Sequence, residues 1–246
     1  MQKAFTYRDD KTDKFWRIEQ LDAEFAVNYG KTGVTGKYEI KEFDSGEACL
    51  KQAAKLIAQK IKKGYVETSS FDYINHWYFD DNEIGLHPLT SHPYFREHFT
   101  AEFYYDCCDE EAPFGSDEGA DTLYIMTEKL RKKPSFAFAD FPEYIIEQEW
   151  DMRYLPVDSL DRDVVGAALE ADEMNLIQSN MITYAAAFGQ VKITGRLDKS
   201  LCERAVLALQ RQQLVAEIQE WGPRSAIMDG MIQDLLSFKH FIVFRV

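Results

Sequence analysis

Residues 12–67 change hydrophobic period once, from two to about 3.6, and few folds can absorb that switch in so short a span. In AEFAVNYGK, Phe25, Val27 and Tyr29 alternate with Glu24, Ala26 and Asn28, the pattern of a strand with one apolar face. Phe15-Trp16-Arg17-Ile18-Glu19 forms a preceding strand, with Leu21-Asp22-Ala23-Glu24 as the hairpin connection. After the turn punctuated by Gly30, Gly33 and Gly36, Tyr38 and Ile40 continue the alternation. From Asp44 the period lengthens. Asp44 with Glu47 three residues on suggests a capped helix start, and Leu50, Ala53, Ala54, Ile57 and Ile61 recur at helical spacing. Lys51, Lys55, Lys60, Lys62 and Lys63 decorate the remaining faces, and Gly64 suits the position after the last turn.

This segment therefore predicts a small antiparallel sheet packed by one helix, with Leu50, Ile57 and Ile61 buried against it. Glu67-Thr68-Ser69-Ser70 is the one linker-like stretch, which divides the chain into a 1–67 domain and an acidic, mainly helical domain over 68–246. The fold class is α+β. In the second part Ser116, before Asp117 and Glu118, is placed to cap a helix running through Leu123, Met126 and Leu130. Residues 160–176, 200–220 and 225–239 show helical periodicity, and residues 240–246 (HFIVFRV) have a strand composition.

Charge separates the two parts. The net charge of −14 is the sum of +2 over residues 1–67 and −16 over residues 68–246. Phosphate contacts supply most non-specific affinity for nucleic acid, so only the first part has a balance compatible with that partner. The second part suits either plain solubility or a basic partner. No apolar run reaches 18 residues, the N-terminal MQKAFTYRDDK lacks the layout of a secretory signal, and the four cysteines show no CxxC pair. These features predict a cytoplasmic protein without a membrane partner.

The combination of KFWRIE, AVNYGKTGVTGKYEIKEF and KLIAQKIKKGYVE, in that order and spacing, resembles the WGR domain, a module of DNA-break-sensing poly(ADP-ribose) polymerases and of many bacterial proteins. Tyr29-Gly30-Lys31 stands where that family has Trp-Gly-Arg. The resemblance implies nucleic-acid binding, at a DNA end or on RNA, through Tyr29, Gly30 and Lys31, with Lys37 as a further phosphate contact. Tyrosine retains a stacking face, and lysine binds phosphate as a point charge without arginine's bidentate fork. The alternative is that Tyr29 continues the Phe25/Val27 apolar face while Lys31 is a solvated turn residue. The lysines of the helix carry the same ambiguity between an electrostatic footprint and a solvated face.

No catalytic signature is present: HExxH, GxSxG and P-loop patterns are all missing. His87, His92 and His98, near Glu97, Cys107 and Cys108, match no zinc spacing, so neither a metal nor another cofactor is expected. The densest charge block includes Asp109, Glu110, Glu111, Asp117 and Glu118, a candidate face for a basic protein. The sequence thus predicts a non-enzymatic protein that binds nucleic acid through its first domain and a protein through its second. The alternative is an interaction or immunity-type protein that binds a basic partner through the acidic domain, with no nucleic acid.

Overall fold

A computed structural model describes residues 1–81, 83–156 and 158–242. The chain divides into two compact units, Met1–Pro93 and Tyr94–Val246.

The first unit is built on a five-stranded antiparallel sheet of β1 (Gln2–Arg8), β2 (Asp13–Leu21), β3 (Glu24–Lys31), β4 (Lys37–Glu42) and β5 (Val66–Thr68), in the order β4-β3-β2-β1-β5. β2 and β3 turn over Asp22, whose φ of 49° is a left-handed conformation that aspartate tolerates. The helix α1 (Gly46–Lys62) covers one face. Its cap is Ser45 rather than Asp44: the Ser45 hydroxyl accepts from the Ala48 N–H, which leaves Asp44 outside the helix. At the other end Gly64 has φ 87°, its N–H donates to the Ile61 carbonyl, and the Tyr65 N–H donates to that of Lys60. That is a Schellman closure.

The stripe α1 turns to the sheet differs from the expected one. Cys49 and Ala53 are fully buried, with Leu56 and Ile57 half-buried, whereas Leu50 and Ile61 are 47% and 53% exposed. Small side chains at the contact let the helix approach Phe5, Trp16, Ile18, Phe25 and Val27 closely. Leu50 and Ile61 fall beside that stripe at 100° per residue.

Residues 66–70 do not behave as a bare linker. Val66–Thr68 pair with β1 as the edge strand, and residues 71–93 belong to the same compact unit. They cover the sheet face opposite α1. There Arg17 is 2% exposed, lies 4.7 Å from the Tyr78 ring centre and 5.6 Å from those of Phe71 and Tyr73, and donates to Asn28 Oδ1 and Tyr38 Oη. Tyr38 Oη donates to the Trp77 carbonyl, and Asp81 accepts the Ile40 N–H at the outer edge of β4.

The second unit is mainly helical: α2 (Pro93–His98, entered from the last residue of the first unit), α3 (Asp117–Lys132), α4 (Phe141–Tyr144), α5 (Arg162–Thr194), α6 (Lys199–Ile218) and α7 (Ala226–Ser237). Ser116 caps α3 as expected, accepting from the Gly119 N–H at 3.1 Å. α5 leaves helical geometry at Asp172 (φ −162°, ψ 72°) and resumes as a limb buried on every side from Ile182 to Ile193. Phe188, within that limb, joins Phe99, Tyr104 and Phe238 in an aromatic centre. Arg211 fastens the approach to α5: its guanidinium donates to Asn180 Oδ1 and to the carbonyls of Leu155 and Pro156. Of the predicted C-terminal strand, Phe241 makes an isolated bridge to Leu197 and residues 243–246 lie outside the described residues.

Candidate nucleic-acid interface

Tyr29, Gly30, Lys31 and Lys37 share the β3–β4 hairpin, and each has a local reason for its place. A Cβ on Gly30 would come within 2.9 Å of the Gly36 Cα, and one on Gly36 (φ 81°) within 2.6 Å of the Tyr29 carbonyl oxygen. Both glycines are therefore required by the close crossing of two backbone segments. Gly30 acts through the backbone it permits.

Tyr29 lies on the α1 side and packs against the core at half-burial. Its hydroxyl donates to Glu39 Oε1 at 2.5 Å, and that hydrogen bond is the main reason its pKa is pushed up to about 12. The same bond, aided by Lys37 Nζ at 3.3 Å, holds the Glu39 carboxyl below the usual range. Lys60 Nζ stands 5.7 Å from the Tyr29 ring centre, 5.2 Å from Trp16 and 5.3 Å from Tyr65. Burial, and then the neighbouring Lys63 charge, lower the Lys60 pKa. The Tyr29 ring thus contributes to the core, while its hydroxyl end meets the Glu39 carboxylate and Lys60 stands over the ring.

The register adds a residue that sequence reasoning missed. Lys14 pairs directly with Lys31 across β2 and β3, and Tyr29 pairs with Lys37 across β3 and β4. Alternation puts Lys14, Lys31, Tyr29 and Lys37 on the α1 side with Trp16, at the end of the sheet where α1 brings Lys60. Two lysines directly opposite each other repel, and neither Lys14 nor Lys31 makes an ion pair among the described residues. Lys14 sits two residues before Trp16 in KFWRIE. Its signal was the strand periodicity, but only the pairing register reveals its partner.

The histidines have ordinary partners. His87 bridges Glu24 Oε2 (2.8 Å) and the Leu89 N–H, His92 Nε2 reaches the Ile74 carbonyl, and His98 Nε2 reaches that of Asp234. No group of three or more candidate metal ligands occurs among the described residues. In the second unit, Glu110, Glu111, Asp117 and Glu118 line one cleft, while Asp109 does not and accepts the Glu111 N–H instead. Among the described residues no helix is long and apolar enough to cross a membrane.

The profile of the WGR domain matches residues 1–72. A protein of Escherichia coli K12, "Uncharacterized protein YfeS", is 52% identical over 242 residues, 98% of this chain and 99% of that one. "Protein YehF" of the same organism is 46% identical over 65 residues, 26% of this chain and 24% of its own. A crystal structure of a Bacteroides fragilis protein is 27% identical and covers 45% of this chain and 36% of that one with a TM-score of 0.28, and nothing about the fold rests on it. An N-terminal WGR domain within a chain similar to YfeS along nearly its whole length decides the family: this protein belongs with YfeS among the bacterial WGR-domain proteins.

Proposed function

We propose that the first unit binds nucleic acid, at a strand end or a single-stranded segment, across the α1 side of the β3–β4 hairpin. The observation that carries this reading is the Lys14–Lys31 pair. Two exposed lysines facing each other across adjacent strands, with no ion pair of their own among the described residues, form a point of positive potential that a phosphate relieves. Lys60 extends that potential past Tyr29, whose ring edge offers contact to a sugar or base, and Lys37, engaged by Glu39 at 3.3 Å, joins when a phosphate displaces that carboxylate. The acidic remainder of the chain sets a limit. A net charge of −14 repels duplex DNA at long range, so binding is local and salt-sensitive.

The test is a polarisation titration of the full chain with blunt, nicked and single-stranded DNA and with RNA, repeated over a salt series. Binding that weakens linearly with log salt, with a slope reduced by about one in Lys31→Ala, supports the interface. Absence of binding to every probe at low salt, by a protein with an unchanged melting curve, overturns it.

A further inference from the structure

Cys107 and Cys108 form a dithiol on the surface of the second unit. Both residues are exposed, and their Sγ atoms lie 3.7 Å apart. Adjacent side chains on an extended strand point to opposite faces, so this convergence needs a bend, and the local contacts build one. The Asp106 N–H donates to the Phe103 carbonyl, and the Asp106 carboxylate accepts the Cys108 N–H at 2.8 Å. On the far side the Asp109 carboxylate accepts the Glu111 N–H at 3.0 Å. There the Asp109 carbonyl lies so close to Gly115 that a Cβ on that glycine would collide with it. The pair is thus presented by a turn pinned before and after it.

The other two cysteines supply the contrast. Cys49 and Cys202 are buried, and burial raises both thiols, Cys202 to about 11. Thiolate, the reactive form, is therefore scarce at those two positions and out of reach of a dissolved reagent. At the exposed pair the main interaction is between the two sulfurs. The Cys108 thiol is held above the ordinary cysteine range, first by its hydrogen bond with Cys107 and then by that neighbour's charge, so the pair releases its protons one at a time. Capping the Cys107 sulfur removes that charge and frees the Cys108 thiol to ionise beside it.

We propose that Cys107 and Cys108 form a reversible thiol–disulfide site, oxidised by a low-molecular-weight disulfide and reduced by the matching thiol. One thiolate attacks a sulfur of glutathione disulfide, whose S–S bond breaks and releases a glutathione thiolate that takes up a proton. The remaining protein thiol then loses its proton and attacks the protein sulfur that carries glutathione. That mixed bond breaks, the second glutathione leaves, and a Cys107–Cys108 bond forms. Two protein thiols are oxidised, and one small disulfide is reduced to two thiols. The sulfurs close from 3.7 Å to about 2.05 Å. Adjacent Cα atoms stand only about 3.8 Å apart, below the ~4.4–6.8 Å of ordinary disulfides, so the small ring is strained and easily reduced. That suits a reversible site rather than a structural staple. The inference concerns the second unit and is independent of nucleic-acid binding by the first.

The test incubates the reduced full chain with glutathione disulfide at graded ratios to glutathione, quenches with N-ethylmaleimide and maps the products by mass spectrometry. Tryptic cleavage after Arg96 and Lys129 leaves Cys107 and Cys108 on one peptide with no other cysteine. The expected product is that peptide with two hydrogens fewer and no glutathione, restored to the dithiol by excess glutathione. Cys49 and Cys202 should react only after denaturation. Cys107→Ser and Cys108→Ser, both at exposed positions, should instead stop at a mixed disulfide with one glutathione per chain. The proposal is overturned if the parent chain also stops at that mixed disulfide, or forms disulfide-linked dimers in place of the ring. It is equally overturned if the dithiol stays unmodified at every ratio in a protein whose melting curve shows it folded, or if excess glutathione cannot reopen the ring.

Discussion

The two faces of the N-terminal sheet are covered by opposite chemistries. Under α1 the contact is apolar, with Phe5, Trp16, Ile18, Phe25 and Val27 meeting Cys49 and Ala53. On the other face residues 71–92 close over a buried cation, with Arg17 at the centre of a network of Asn28, Tyr38 and four aromatic rings. Asn28 has no spare capacity: its oxygen receives Arg17 and lies 3.0 Å from His76 Nε2, and its amide donates to the Thr35 and Lys37 carbonyls. The apolar face gains from burial in proportion to area and tolerates small misfits. The polar face is all-or-none, since each desolvated group is safe only while its partners remain. That network also fixes the hairpin carrying Tyr29 and Lys31, because the Asn28 amide, on β3, holds the carbonyls of Thr35 and Lys37 where the chain enters β4.

The largest effect should follow from breaking the polar face. Arg17→Ala removes a charged donor from Asn28, Tyr38 and the largely buried Glu19 and empties the space between four aromatic rings, which should cost about 3–5 kcal/mol in chemical denaturation. A loss below about 1 kcal/mol would mean that segment 71–92 is held by its aromatics alone. Next comes a pH effect specific to this face. Burial, and then the Arg17 charge, push the His76 pKa down to about 3 from an ordinary 6.5. The unfolded chain therefore binds the proton first as pH falls. The stability is complete above 6.5 and drains away between 6.5 and about 3. Between pH 6.5 and 5 the loss should reach roughly 2 kcal/mol in the parent and be absent in His76→Gln, read as the difference between their denaturation midpoints.

How far the sequence disclosed this structure can be read from the same faces. Period-two alternation in residues 15–29 located β2, β3 and the α1-facing residues, because that face is buried by apolar groups. The opposite face was invisible. Arg17 and Asn28 look like solvent positions until Phe71, Tyr73 and Tyr78, some fifty residues on, are folded over them. The strand β1 was missed because KAFTYR alternates weakly and its partners are set by register rather than composition. The inner limb of α5 escaped for the opposite reason: buried all round, it has no polar face to mark a period. At the candidate interface the hairpin residues were legible from the motif, whereas Lys14 needed the pairing.

A smaller effect tests the apolar face. Ile57, half-buried against the core, should cost about 1–2 kcal/mol as Ile57→Ala, and Leu50→Ala, at an exposed position, less than about 0.5. Equal losses in thermal or urea unfolding would show that α1 seats on the sheet through a broader stripe than Cys49, Ala53, Leu56 and Ile57.

The smallest effect on stability belongs to the residue with the most to say about function. Lys31 is exposed, opposite Lys14, and unpaired among the described residues. Removing its charge relieves a repulsion between like charges, so Lys31→Ala should leave the folded state unchanged or more stable by a few tenths of a kcal/mol. If the pair is kept for a ligand, the same substitution should cost affinity for nucleic acid, and Lys14→Ala should cost a similar amount. The double variant should then lose less than the sum of the two, because both charges serve one phosphate. Additive losses would place the two lysines on different phosphates and divide the site in two. Stability measured beside affinity decides whether the end of the sheet is a binding surface or a solvated margin, since only a binding surface loses affinity while gaining stability.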